Sequence, residues 1–409
     1  MRDRAPGDVS SSHQSSHAAE FRTAAPGRKS LTVKLQRKTR RALALGAFAV
    51  SGALALTACG SDDTGDAGGG DSAATAKAGA IDCGDAKGQL QASGSSAQKN
   101  AVDAWVRQYT TACKDVRLNY NPTGSGAGVT AFLQGQTAFA GSDSALDAEE
   151  IAESKKTACA DGGQAIDLPM VVGPIGVGYN VPGVDSLVLD APTLAKIFDS
   201  KITNWNDKAI AELNPDAKLP DLKIQAFHRS DESGTTDNFT KYLSAAAPDD
   251  WKYEHGKSWE AKGGQSASGS SGVAQQVSQT SGAISYMELS YVKDGMKSVK
   301  IKTGAAQPVE ATTENATKSI SEAKVVGTGK DLALELNYTP SAEGAYPITL
   351  VTYEIVCDKG NKAESLPAVK SFLSYIASED GQGLLAGAGY APVPDEIITK
   401  VRSTVSSLS

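Results

Sequence analysis

The chain has 409 residues, 40% of them hydrophobic and 21% charged, which is enough apolar material for two packed domains. Basic residues crowd the start: residues 1–58 hold ten Lys and Arg, and the remainder carries 30 basic against 44 acidic residues. An acidic body of this kind excludes nucleic acid as a partner, since that binding needs clustered positive charge.

Residues 1–32 are polar and unpatterned, and translation is expected to begin near Val33. Lys34, Arg37, Lys38, Arg40 and Arg41 form a basic cluster ahead of an apolar run over 42–56. That run is short for a membrane-spanning helix and ends in small residues, as a secretory signal does. Leu56-Thr57-Ala58-Cys59 matches a bacterial lipobox, so Cys59 is expected to be lipidated and to hold the chain on the extracytoplasmic face of the cell membrane. Residues 1–58 are read as leader and 59–80, made of Gly, Ser, Asp and Ala, as a flexible tether.

Cys83, Cys113, Cys159 and Cys357 remain, and outside the cytoplasm an even number reads as disulfides. Three pairings are open. Cys83 and Cys113 each lie a few residues before a predicted strand, which favours Cys83–Cys113 with Cys159–Cys357. The four His are scattered and there is no CxxC, so no metal or other cofactor is expected.

In chain order, the patterning predicts a strand over 88–93, a helix over 98–109, a strand over 116–120 and a small-residue loop over 121–128. A helix then starts at Val129, and a strand over 137–142 ends at Asp143. A long apolar β run covers 170–179 and helices cover 193–198 and 208–213. A strand over 224–227 leads through a polar loop into a helix over 237–244. Strands are expected at 283–286 and 348–356, a helix at 366–377, and the Ser/Gly stretch 263–272 reads as loop. Strand alternating with helix is the α/β pattern.

Three segments share one design: a strand ends, a Ser/Gly/Thr loop follows, and a helix begins. They are 94–97, 123–127 and 231–236. Hydroxyls beside free N–H groups at a helix N-terminus can hold an oxyanion, because the donors converge and the helix dipole adds positive charge. Taken singly, each loop is more often an ordinary helix cap.

The motifs themselves resemble one family. Gly141-Ser142-Asp143, Arg229-Ser-Asp231-Glu-Ser233-Gly234-Thr235, Lys201-Ile-Thr-Asn-Trp205 through Leu213-Asn214-Pro215, and Gly282-Ala-Ile-Ser-Tyr286-Met-Glu288 look like signatures of the PstS family, the phosphate-binding proteins of bacterial phosphate ABC importers. The resemblance runs over about 88–405. It implies an α/β fold of two lobes, the type II periplasmic-binding-protein fold, with lobe I formed by 81–179 plus 350–409 and lobe II by 180–349. The chain would cross near 177–180 and return near 349–353, with ligand in the cleft.

Carried over position by position, the resemblance implies phosphate contacts at Ser96, the Ala97 amide, Ser125, Asp143, Arg229, Ser233, the Gly234 amide and Thr235, with Asp231 holding Arg229. It implies inorganic phosphate and the importer's membrane permease subunits as partners, a monomer, and no catalysis. Asp143 would select a protonated anion over sulfate, which has no proton to give. A binder of another tetrahedral oxyanion and a phosphatase are the alternatives.

Overall fold

The computed structural model describes residues 81–409; the leader, the Cys59 lipobox and the tether lie outside the described residues. The chain runs β1 (Gly88–Gly94), α1 (Lys99–Ala112), β2 (Val116–Asn121), α2 (Ser125–Leu133), β3 (Phe139–Ser142), α3 (Ala148–Ser154) and the long β4 (Ala165–Asn180). There follow β5 (Val188–Asp190), α4 (Ala191–Phe198), α5 (Lys208–Leu213), β6 (Gln225–Arg229), α6 (Gly234–Ala246), β7 (Gln265–Ala267), α7 (Gly269–Gln279) and β8 (Ala283–Glu288). Short elements come next: β9 (Lys297–Ser298), β10 (Lys300–Lys302), α8 (Thr313–Ile320), β11 (Lys324–Val325) and β12 (Leu334–Glu335). The chain returns along β13 (Thr349–Cys357) and ends in α9 (Leu366–Ile376), α10 (Glu379–Gly387) and α11 (Asp395–Ser406). Among the described residues no helix is long and apolar enough to cross a membrane.

One sheet organises the molecule, in the order β2-β1-β3-β13-β4-β8-β6-β7, with β9 also paired to β4. β1 lies parallel to β2 and β3, and β6 lies parallel to β7 and β8. Between these parallel patches run β13 and β4, antiparallel to each other and to their outer neighbours. β4 is buried at every position but its last, as a strand covered on both faces must be, and so it reads as a continuous apolar run instead of an alternating one.

Two main cores lie along this sheet. The first joins Leu90, Trp105, Phe139, Val172, Ile355 and Phe372 with the C-terminal helices. The second joins Ile175, Tyr179, Leu194, Trp205, Phe239 and Tyr286. The packing changes over between Val172 and Ile175 on β4 and between Leu350 and Val351 on β13. Ala316, Ile320, Leu332 and Leu334 pack into the first core although they precede the return strand. We call the two parts the first and second halves. Cys83 is bonded to Cys113 and Cys159 to Cys357, and all four belong to the first half.

Three local expectations shift. α2 begins at Ser125, four residues ahead of Val129, and α6 begins at Gly234 instead of Asp237. The stretch 263–272 is not all loop: it contains β7 and the first turn of α7. In each case small polar residues at a helix start look like loop, since they are also the residues that favour caps and turns.

Candidate functional site

Ligand crevices of open α/β sheets lie beyond the carboxyl ends of the strands. Here the segments leaving β1, β2 and β3 meet those leaving β6 and β7. α1, α2, α6 and α7 all begin in that region, and α1, α2 and α7 carry no side-chain cap. Their first-turn N–H groups have no partner within the helix, and the positive ends of the helix dipoles lie there. At α6 the cap is Ser233, whose Oγ accepts the Thr236 N–H at 3.2 Å.

Arg229 ends β6 with its side chain only 2% exposed. The guanidinium donates through Nε to Asp231 Oδ1 at 2.8 Å and through Nη2 to Asp231 Oδ2. Asp231 also accepts the Gly269 N–H at 2.9 Å. Burial works to raise the Asp231 pKa, but the Arg229 hydrogen bonds and charge outweigh it and hold the carboxyl below its usual value. The pair leaves Nη1 of Arg229 uncommitted to Asp231, so this buried charge is oriented with donors to spare.

Asp143 follows β3 and is 3% exposed. Its Oδ1 accepts hydrogen bonds from Ser95 Oγ and, at 2.8 Å, from Thr352 Oγ1; Oδ2 accepts from Thr235 Oγ1 at 3.1 Å. Burial pushes its pKa up, and these three hydroxyls and the Arg229 charge oppose that without cancelling it. Oδ2 takes one donor where Oδ1 takes two, which leaves acceptor capacity on Oδ2.

Ser125 joins the halves. Its Oγ accepts the Asp143 N–H from the first half and the Gly234 N–H from the second, both at 3.1 Å. With both lone pairs taken, the Ser125 hydroxyl proton is left to donate elsewhere. The approach depends on Gly234: a Cβ there would stand 2.7 Å from both Asp143 Cβ and Ser125 Oγ.

The first loop is arranged differently from the other two. Gly94 takes φ 145°, and a Cβ on it would lie 2.0 Å from the Gly141 carbonyl oxygen. Ser95 Oγ, besides meeting Asp143, accepts the Ala97 N–H at 3.1 Å. Ser96 turns toward the start of α7: its Oγ lies 3.0 Å from Ser270 Oγ and accepts the Ser270 N–H at 2.9 Å.

Thus the structure gathers Ser96, Ala97, Ser125, Asp143, Arg229, Asp231, Ser233, Gly234 and Thr235 at one junction. It adds Ser95, Thr352 and Ser270, which the sequence reading passed over. Ser95 had a signal, since it is a hydroxyl beside one already chosen. Thr352 had none, because it arrives on β13 from 209 positions away.

Against known proteins, residues 82–380 match the model of a PBP superfamily domain. The chain is 43% identical over 364 residues to a protein named phosphate-binding protein PstS 3 from Mycobacterium tuberculosis strain H37Rv, covering 88% of this chain and 96% of that one. It is 31% identical over 320 residues to the phosphate-binding protein PstS of Xylella fastidiosa, covering 77% and 84%. Among solved structures it resembles a high-affinity periplasmic phosphate-binding protein bound with phosphate, PfluDING, at a TM-score of 0.63 and 21% identity over 77% of this chain and 93% of that one. A phosphate-binding protein from Stenotrophomonas maltophilia gives 0.62 and 20% over 79% and 96%. The chain therefore belongs to the PBP superfamily and, within it, to the PstS family.

Proposed function

We propose that this protein captures inorganic phosphate outside the cytoplasm and delivers it to the permease subunits of an ABC importer, without catalysing a reaction. The observation that carries the reading is Asp143. A buried carboxylate beside an anion site is repulsive unless the ligand brings a proton. HPO4²⁻ can donate that proton to Oδ2, the oxygen with acceptor capacity left. Sulfate would leave it facing like charge, and an unmet buried acceptor costs about 1–3 kcal/mol or more. Discrimination then comes from penalising the wrong ligand. Arg229, held by Asp231, supplies the opposing charge. The Ser96, Ser125 and Ser233 hydroxyls would complete the shell, and Thr235 and the Ala97 and Gly234 amides would join it by exchanging the Asp143, Ser95 and Ser125 oxygens they donate to in this structure for the anion.

Titration calorimetry with phosphate and sulfate tests this. The protein is expected to bind phosphate and to take sulfate at least about 100-fold more weakly. Asp143→Asn is expected to weaken phosphate and improve sulfate, because an amide can donate to either. Equal affinities of the unaltered protein for the two anions would remove the reading. Phosphatase turnover lost on Arg229→Ala would replace it with an enzyme.

The same proposal places the protein as a monomer, anchored through lipid on Cys59, with 59–80 as tether and hinge motion about the β4 and β13 crossing. Incorporation of labelled fatty acid should vanish in Cys59→Ser; label retained in that variant would sink the anchor.

A further inference from the structure

We propose that Tyr120, Tyr291 and Tyr390 act together as positioning residues that aim the backbone amides of the first loop at the bound anion. The inference rests on the phosphate reading above. Three consecutive carbonyls of the loop each accept a hydrogen bond from a different tyrosine hydroxyl. Tyr120 donates to Ser95 O at 2.8 Å, Tyr291 to Ser96 O at 2.8 Å and Tyr390 to Ala97 O at 2.5 Å.

A trans peptide is planar, so its C=O and the following N–H point in opposite directions. Fixing the carbonyls of Ser95, Ser96 and Ala97 on one side therefore fixes the amides of Ser96, Ala97 and Gln98 on the other. Tyr291 holds the peptide unit whose N–H belongs to Ala97, the amide assigned to the ligand, which in this structure donates to Ser95 Oγ at 3.1 Å, so the bound anion would replace that hydroxyl as its acceptor.

No regular structure does this job. The loop lies between the end of β1 and the start of α1, and α1 has no side-chain cap. The tyrosines come from three separate places: β2, the short turn Leu289–Tyr291 after β8, and the segment after α10. Tyr390 is fully buried and Tyr291 nearly so. Phenylalanine would fill the same space, so packing alone does not call for three hydroxyls that end on three successive carbonyls. Burial raises the pKa of all three, which keeps them as donors throughout the physiological range.

Two of the three are also tied to one another. Ser290, next to Tyr291, meets the Tyr390 hydroxyl at 3.2 Å and accepts from Asn100 Nδ2 of α1 at 2.8 Å. Tyr291 packs with Phe227, Val273 and Met287, so a residue that follows β8 orients an amide of the loop that follows β1.

The test is calorimetry with inorganic phosphate on Tyr120→Phe, Tyr291→Phe and Tyr390→Phe, with Tyr109→Phe as control. Tyr109 donates to Ser371 Oγ at 2.9 Å in the first core and makes no bond to the loop. Each loop variant is expected to bind phosphate about tenfold more weakly, the effect of losing the aim of one donor. Its ¹H–¹⁵N spectrum should show a smaller phosphate-induced shift at the Ala97 amide for Tyr291→Phe than in the unaltered protein. Tyr109→Phe should match the unaltered protein in both. The same spectra report folding, and the three variants are independent, so a misfolded one leaves the others to decide. If the unaltered protein binds phosphate and the loop variants bind within about twofold of it, or no more weakly than Tyr109→Phe, the brace is wrong and the phosphate reading stands. If the unaltered protein does not bind phosphate, that reading fails and the brace with it.

Discussion

The two halves of this protein bring different things to their junction. The first half holds all four described cysteines in two disulfides and contributes hydroxyls and amides. The second half, with no disulfide among the described residues, contributes the guanidinium as well as the Ser233 and Thr235 hydroxyls and the Gly234 amide. Arg229 is fixed by packing instead of by covalent bonds. Its N–H donates to the Tyr286 hydroxyl at 3.2 Å, and the Tyr286 ring stacks on Phe239 with centroids 4.4 Å apart and on Trp259 at 5.7 Å. The difference teaches that a single strong charge needs only one well-held side chain. An array of weak neutral donors needs a stiff frame to keep many groups in register.

The contrast is broken most severely at Arg229. Arg229→Ala leaves the buried Asp143 and the half-buried Asp231 without their cation. Truncating one partner of such a pair costs about 4 kcal/mol, so phosphate affinity should fall by about 1000-fold in calorimetry while the fold survives. A loss below about tenfold would show that the neutral donors carry the binding.

The opposite break is to unstaple the first half. Cys159 and Cys357 are 198 positions apart. In the chain-entropy model a loop of that size contributes about 5 kcal/mol, so the double Ser variant should lose about that much in urea unfolding. Its second half should keep the Arg229 geometry, so folded protein should still bind phosphate. Unchanged stability would mean that the first core needs no staple.

The smallest effect sharpens the picture of the junction. Glu354 on β13 is fully buried, and burial, with a little help from the Asp143 charge, pushes its pKa up to about 8 despite the neighbouring Gln98. Neither of its carboxyl oxygens, nor Gln98 Oε1, has a partner of good geometry among the described residues. Between an ordinary value near 4.5 and about 8 the folded state holds a proton that the unfolded chain has lost. Stability therefore falls as pH rises through that window. Glu354→Gln should flatten the decline in thermal midpoint from pH 5 to pH 8. Part of the slope should remain, because Glu288, also buried, is pushed up to about 8 as well. An unaltered slope would show that Glu354 does not titrate there.

What the sequence showed follows how local each feature is. Arg229 and Asp231 are two residues apart at the end of a strand, so their pairing is nearly written into the chain. Asp143 ends a short strand and could be placed without knowing its neighbours. Its partners could not. Thr352 reaches Asp143 beside a register shift between Thr352 and Tyr353, and a bulge re-aims side chains without altering composition. The choice between Ser95 and Ser96 turns on backbone direction in an irregular loop, which neighbouring residue types leave undetermined. The start of α7 hides in a Ser/Gly stretch because cap residues and loop residues are the same. Ala316 to Leu334 join the first core through tertiary contacts that no periodicity announces.

The bond between Cys159 and Cys357 makes a covalent ring. The second core lies almost wholly inside it, since β4 leaves just after one cysteine and β13 returns at the other. Both tails outside the ring, before 159 and after 357, build the first half. The second half is thus a lobe strung on a closed loop, with no free end of its own. A protease that cuts once anywhere between 160 and 356 opens the loop but releases nothing. The nicked protein stays one molecule until a reductant reaches it, and the lobe that carries the guanidinium cannot drift from the one that carries Asp143.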